Sequence, residues 1–210
     1  MNPQELEKRC LGFINGLETA DPAHDLAHTE RVVANARKIL ESEKADTIVT
    51  LTAAWLHDCV VLPKNDPERK RASSLAAEKA AHFLRDIGFP TEKIDQVTHA
   101  IKAHSFSADI KPETVEAKIV QDADRLEALG AIGIARCMIV GGKLGRQLYD
   151  AADPFCRDRD PDDGLFTIDH FYTKLLKLPE TMNTEAARNE ARIRAEFMIR
   201  YLKELEREIK

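Results

Sequence analysis

Apolar residues recur three and four positions apart along most of the chain, whereas strict two-residue alternation over the length of a strand is scarce. The first spacing places apolar side chains on one face of an α-helix, and the second is the mark of a half-buried strand. The pattern therefore predicts an all-α protein in which helices follow one another from end to end.

The predicted helices differ in how their apolar residues are arranged. The segment from about Asp46 to Asp58 is apolar on more than one face, which predicts a central, largely buried helix. Gly88 and Pro90 are expected to stop the helix before them, and Pro179 to close a short helix in DHFYTKLLKL. The predicted helices cover residues 6–17, 28–44, 46–58, 73–87, 91–104, 112–129, 167–178 and 184–209.

One stretch interrupts this helical pattern. Residues 141–166 are rich in Asp, Arg, Gly and Pro, and they predict a long loop or lid. We find no internal repeat and no clear domain boundary, so residues 1–210 are expected to form a single domain in which 167–210 are a C-terminal helical extension.

Composition narrows the classes of partner. Apolar residues make up 43% of the chain, which suits a globular fold, and a net charge of -5 gives no basic footprint for a nucleic-acid polymer. No stretch of about 18 apolar residues occurs, so no membrane span is expected. The N-terminus lacks the features of a secretion signal, and no CxxC pair suggests a disulfide scaffold or a zinc ribbon. We therefore expect a cytoplasmic protein whose four cysteines are reduced: Cys10, Cys59, Cys137 and Cys156.

The most informative local feature is the pair His57-Asp58 at the end of the predicted buried helix. An imidazole and a carboxylate are costly to bury unless something binds them, and a divalent cation would satisfy both. The bland alternative is a hydrogen-bonded pair that caps the helix. His28 opens an earlier helix, and Asp122 and Asp124 follow later. A mixed nitrogen and oxygen set suits Mn, Fe, Ni, Co or Zn better than Ca.

The order H, HD and D on successive helices is carried by the stretches HDLAHTERV, AAWLHD and QDADRLEAL. In this order the chain resembles the HD superfamily of metal-dependent phosphohydrolases over roughly residues 20–130. Two further stretches, PKNDPERKRASS and DHFYTKLLKLPETMNTEAAR, are similar to a subgroup of small bacterial HD proteins, some of which act on nucleoside triphosphates. The resemblance implies an HD-domain helical bundle that holds one divalent metal ion (Mn, Co, Ni, Fe, Mg or Zn).

The resemblance also implies the ligands, namely His28, His57, Asp58 and a final aspartate. The family's final aspartate commonly stands in an Ala-Asp-x-x-acidic pattern, which favours Asp124 over the alternative Asp122. On a helix these two aspartates point about 200° apart, so one ion is not expected to bind both directly.

For proton transfer, the sequence offers several candidate residues. Some members place a glutamate a few residues after HD, where this chain reads Cys59-Val60-Val61-Leu62, and the GYP signature of cyclic dinucleotide phosphodiesterases is absent. Candidate acid, base or orienting residues are Asp58, His24, Asp25, His104 and Asp122. His24 and Asp25 could equally cap a helix, and His104 could be a satisfied core histidine.

Cationic side chains are needed to offset negative charge on a phosphoryl group. The candidates for substrate binding are Lys64, Arg125, and the pair Lys174 and Lys177, which are expected three apart on one helix face. A solvated helix face is the alternative for the last pair.

The function expected from the resemblance is release of pyrophosphate or phosphate from (deoxy)nucleoside triphosphates. The alternatives are a nucleoside monophosphate phosphatase and a non-catalytic nucleotide-sensing module. The expected partner is a small nucleotide, with no nucleic-acid polymer and no membrane, and the chain is expected to be a monomer or a homodimer.

Overall fold

The computed structural model describes residues 2–17, 26–62, 66–105 and 108–209, and it confirms the all-α prediction for them. The α-helices are α1 (Pro3–Asn15), α2 (Leu26–Leu40), α3 (Thr47–Leu56), α4 (Ala72–Asp86), α5 (Thr91–His104), α6 (Val115–Leu126), α7 (Gly130–Lys143), α8 (Asp169–Thr173) and α9 (Glu185–Ile209). Within the described residues, 3-10 helices lie at Arg69–Arg71 and Leu175–Thr181. Across these described ranges the only strand-like pairing is an isolated bridge between Gln147 and Phe166.

The chain divides into two compact units, Met1–Asp124 and Arg125–Lys210, and the division falls inside α6. In the first unit α3 is central, as predicted, because it packs against α1, α2 and α5 and eight of its ten residues are buried. The Asp46 carboxylate caps α3 by accepting from the amides of Ile48 and Val49 at 3.0 and 3.1 Å. The cap fixes the start of the helix whose other end carries the HD pair.

The second unit is built on α9, which packs against α7 and against the 3-10 helix Leu175–Thr181. Its longest irregular segment, residues 144–168, is hydrogen-bonded to the buried carboxylate of Asp169. Asp169 is 0% exposed and accepts two hydrogen bonds from the Arg159 guanidinium, at 2.5 and 2.8 Å, and a third from the Asp162 amide at 2.7 Å. These hydrogen bonds attach the segment to the start of α8.

Several predicted boundaries are wrong. Residues 141–143, assigned to the loop, are the last residues of α7, and α6 begins at Val115 and not at Pro112. Pro179 does not close a helix, because it lies inside the 3-10 helix Leu175–Thr181. Lys174 (φ -136°, ψ -59°) stands at the break between α8 and that 3-10 helix, and the Lys177 amide donates to its carbonyl oxygen at 3.0 Å, so the pair lies at the start of the 3-10 helix and not on one continuous α-helix.

Within the described residues, no helix combines the length and the apolar character that crossing a bilayer requires.

Candidate metal centre

The HD pair directly follows the last helical residue of α3. His57 is 0% exposed, and its Nδ1 lies 2.7 Å from the carbonyl oxygen of Ala54, one turn earlier. A ring nitrogen in that position must carry the proton, since a carbonyl can only accept. The opposite nitrogen, Nε2, is buried and has no hydrogen-bond partner among the described residues. The helix end thus presents a bare imidazole lone pair to the interior.

Asp58 brings a carboxylate to this lone pair. Its Oδ2 lies 3.6 Å from His57 Nε2 and 3.8 Å from His28 Nε2. His28, in the first turn of α2, is 1% exposed. One ligand atom from each of these three residues lies within 4.8 Å of those from the other two. The spacing is that of groups able to share a single ion.

Asp124 approaches the same cluster from α6. Its Oδ1 lies 3.5 Å from His28 Nε2, and its side chain is 28% exposed. Asp122, two residues earlier, is completely buried. The structure therefore brings together the four residues of the favoured ligand set, one from α2, two from the end of α3 and one from α6.

His104, the last residue of α5, is a fifth member of the cluster. Its Nδ1 lies 2.6 Å from the carbonyl oxygen of Ile101, and its Nε2 lies 3.4 Å from Asp58 Oδ1. The rings of His57 and His104 meet edge to face with centroids 4.9 Å apart. The two oxygens of Asp58 are consequently divided, with Oδ2 toward His28 and His57 and Oδ1 toward His104.

The electrostatics of the cluster keep its side chains in the protonation states that bind cations. Burial lowers the pKa of His57 to about 4, although the Asp58 carboxylate opposes the shift, so this imidazole is neutral at pH 7. Burial would raise the pKa of Asp124, but its contacts with His28 outweigh burial and hold that pKa well below its usual range. Burial would lower the pKa of His104, yet the adjacent Asp58 raises it.

Helix ends add to this field. The HD pair follows the C-terminus of α3, His104 ends α5, and Asp124 lies in the last turn of α6. The C-terminus of a helix carries partial negative charge, and three of them at one cluster favour a cation.

The donor set fits a divalent metal ion. Two imidazole Nε2 atoms and two carboxylates are a mixed nitrogen and oxygen set of the kind that Mn, Fe, Co, Ni and Zn accept. The orphaned Nε2 of His57 is the sharper indication, because a buried polar atom without a partner is costly and a metal would satisfy it.

The part of the chain that matches a known family contains the four residues of the favoured ligand set. The sequence profile of the HD domain family matches residues 25–129, half of the chain. The chain belongs to the HD-domain family. It is 37% identical over 190 residues to YpgQ of Bacillus subtilis, an alignment that covers 89% of this chain and 84% of YpgQ. The implied membership of the HD superfamily is thereby confirmed.

Solved structures extend the similarity beyond the HD domain to nearly the whole of this chain. The crystal structure of Bacillus subtilis YpgQ in complex with ADP matches with a TM-score of 0.71 and 33% identity, covering 98% of this chain and 94% of that one. An HD-superfamily hydrolase from Bacillus thuringiensis matches with a TM-score of 0.76 and 34% identity, covering 99% and 98%.

The remaining predicted residues are His24, Asp25 and the substrate-binding candidates. His24, Asp25 and Lys64 lie outside the described residues. Arg125 donates from Nη1 to the carbonyl oxygen of Thr181 at 2.7 Å, and Lys177 is exposed on its 3-10 helix. Lys64, Arg125, Lys174 and Lys177 remain predictions for substrate binding, and His24 and Asp25 remain candidates for acid, base or orienting roles.

Sequence reasoning missed two buried side chains beside the cluster. Asn35 donates from Nδ2 to the carbonyl oxygen of Ala123, and Gln121 donates from Nε2 to that of Ala103. Asn35 lies seven positions after His28, and Gln121 three before Asp124, which is the helical spacing of a shared face. That spacing was the available signal.

Proposed function

We propose that this HD-domain protein is a divalent-metal-dependent phosphohydrolase that releases pyrophosphate or phosphate from small nucleotides, with (deoxy)nucleoside triphosphates as the main substrates. The observation that carries the proposal is the convergence of His28, His57, Asp58 and Asp124, together with the buried Nε2 of His57, which has no hydrogen-bond partner among the described residues.

The proposed ligand atoms are Nε2 of His28, Nε2 of His57, Oδ2 of Asp58 and one carboxylate oxygen of Asp124. These four residues would hold the metal and would leave it accessible to a water and to a phosphate oxygen. A bound divalent cation would lower the pKa of such a water and offset negative charge on the phosphoryl group.

The chain's own residues supply orientation and proton handling. The hydrogen bonds from His57 Nδ1 to Ala54 and from His104 Nδ1 to Ile101 fix both rings. His104 lies next to Asp58 and is therefore our preferred candidate for a proton carrier among the candidates in the described residues. Cys59 holds the position after the HD pair, and its thiol donates to the carbonyl oxygen of Ala76. Burial raises the pKa of this thiol to about 12, so Cys59 does not replace a carboxylate there.

The nucleotide preference is supported by similarity. A structure of YpgQ contains ADP, and that protein aligns with nearly the whole of this chain. The ADP of that complex supports a nucleotide site in this chain.

The test is an activity screen on chelator-treated protein. Mono-, di- and triphosphates of each nucleoside and deoxynucleoside are incubated with Mn, Co, Ni, Fe, Mg or Zn, and phosphate and pyrophosphate are separated by ion chromatography. We expect release from triphosphates that requires added metal. Asp58→Asn, which keeps the shape of the side chain and removes its charge, is expected to abolish release while circular dichroism stays unchanged.

The same screen separates the alternatives. Release from monophosphates alone would support a monophosphate phosphatase. Nucleotide binding without release under any metal would contradict the proposed activity and support a sensing module.

A further inference from the structure

Asn35 lies on the same face of α2 as His28. The two residues are seven positions apart, about two turns, so their side chains point in nearly the same direction. Asn35 is 5% exposed. A buried carboxamide at this place must find partners for its polar atoms, and one of them identifies what the residue does.

The carboxamide of Asn35 binds α6 beside the final aspartate. Its Nδ2 donates to the carbonyl oxygen of Ala123 at 3.2 Å. Ala123 is 0% exposed and directly precedes Asp124. The contact lies in the last turn of α6, where main-chain carbonyls begin to run out of partners within the helix.

We propose that Asn35 is a positioning residue for the metal centre, which sets the separation between His28 on α2 and Asp124 on α6. The inference rests on the proposed ligand set. Protein ligands bind a transition metal at about 2.0–2.2 Å, so two of them must stay roughly 3 Å apart. His28 Nε2 and Asp124 Oδ1 are 3.5 Å apart. The Asn35 bond joins α2 to α6 at Ala123, the residue directly before Asp124.

Gln121 makes a parallel contact that serves as a comparison. Its Nε2 donates to the carbonyl oxygen of Ala103 at 2.6 Å, beside His104. Both carboxamides are buried and both bind a main-chain carbonyl in a helix end. Of these two bonds, the Asn35 bond joins the two helices that carry His28 and Asp124, whereas the Gln121 bond joins α6 to α5.

The first test is metal affinity of the folded protein. Asn35→Leu keeps the approximate size of the side chain and removes its donor. We expect Mn²⁺ affinity, measured by competition with a fluorescent chelator, to fall at least tenfold, in the range known for residues that orient metal ligands. The visible spectrum of the Co²⁺-loaded protein is expected to change, because it reports coordination geometry. Asn35→Ala serves as a second variant if the leucine side chain prevents folding.

The control is Val32→Ala, on the same face of α2 and, like Asn35, buried. This variant loosens packing without removing a hydrogen bond, and we expect its Mn²⁺ affinity to stay within about threefold of the parent. Equal losses in Asn35→Leu and Val32→Ala would overturn the proposal, since generic loosening of α2 would then explain both.

A double-mutant cycle tests the route through Asp124. If Asn35 acts by placing that carboxylate, Asn35→Leu costs no further Mn²⁺ affinity in an Asp124→Ala background. Full additivity would overturn the proposal. Affinity lost in Asp124→Ala but kept in Asn35→Leu refutes the role of Asn35 alone. Metal binding in the parent without nucleotide hydrolysis refutes only the proposed function.

Discussion

At the residue scale, the two aspartates of α6, Asp122 and Asp124, differ in how close they lie to the proposed metal site. Asp124 Oδ1 lies 3.5 Å from His28 Nε2, whereas Asp122 is fully buried two positions earlier on α6. Because residues two apart on a helix point about 200° away from each other, one ion should bind only one of them directly.

We therefore predict that Asp124→Ala removes more bound metal than Asp122→Ala. The measurement is elemental analysis of each variant after dialysis against limiting Mn²⁺. Asp124→Ala is expected to retain less than about a tenth of the parent metal content, because the remaining ligands give up a charged partner. The opposite order would assign the ligand to Asp122.

The residues of the proposed ligand set were more predictable from the sequence than the orientation of their side chains. The spacing of His28, His57-Asp58 and the later aspartates is visible in the sequence, and the structure brings four of these side chains together. The protonation of His57 is not visible there, because it depends on the carbonyl of Ala54 that the end of α3 leaves in reach. Asn35 was missed for a similar reason, since its partner lies 88 positions away in the chain.

At the scale of elements, α7 shows why a helix can escape the apolar pattern. Its sequence, GAIGIARCMIVGGK, contains four glycines, which lower helix propensity and remove side chains from the pattern. Two of these glycines allow close approach of other parts of the chain. A Cβ at Gly133 would lie 2.3 Å from the carbonyl oxygen of Ala128, and one at Gly141 would lie 2.2 Å from Thr167 Oγ1. Tertiary packing therefore makes this helix, and packing was not visible in the sequence.

Adjacent glycines in α7 provide a matched stability test. At Gly141 a new Cβ would also lie 3.0 Å from the Cβ of Thr167, so rotating the threonine does not relieve the clash, and Gly141→Ala should destabilise by roughly 1–3 kcal/mol. At Gly142 nothing lies within 4 Å of the new Cβ, and Gly142→Ala should stabilise by up to about 1 kcal/mol through helix propensity. Thermal melts of the two variants should move in opposite directions, and a shift of the same sign in both would contradict this account of α7.

The segment 144–168 depends on the ion pair between Arg159 and Asp169. Burial would raise the pKa of Asp169, but the Arg159 guanidinium and the Asp162 amide outweigh burial and lower it. A carboxyl whose pKa is depressed by folding stabilises the protein above its unfolded pKa of about 3.9, and this contribution is lost as the pH falls through the folded value.

Asp169→Asn should therefore cost about 2 kcal/mol above pH 5, because it removes the charge from a buried, hydrogen-bonded carboxylate. The difference from the parent should shrink below about pH 4, where the parent carboxylate also becomes protonated. Denaturant titrations between pH 3 and 7 measure it. Asp158→Asn, at an exposed position in the same segment, is the control, and an equal cost there would rule out a special role for the buried pair.

At the scale of the whole molecule, the four proposed ligands all belong to the unit Met1–Asp124. The unit Arg125–Lys210 contributes none of them. A metal that binds the folded unit and not the unfolded chain stabilises it by mass action, and the gain should appear first in the helices that carry the ligands.

Metal removal should consequently lower stability in a localised way. At a hundredfold excess of Mn²⁺ over its dissociation constant the gain is about 2.7 kcal/mol, which for a chain of this size corresponds to a rise in melting temperature of roughly 5–10 °C. Hydrogen exchange should show added protection in α2 and α3 and little change in α9. Asp58→Ala should lose the Mn²⁺-dependent rise. A rise of the same size in that variant would mean that the stabilising ion binds elsewhere, since Asp58 Oδ2 lies 3.6 Å from His57 Nε2 and 3.8 Å from His28 Nε2 in the proposed ligand set.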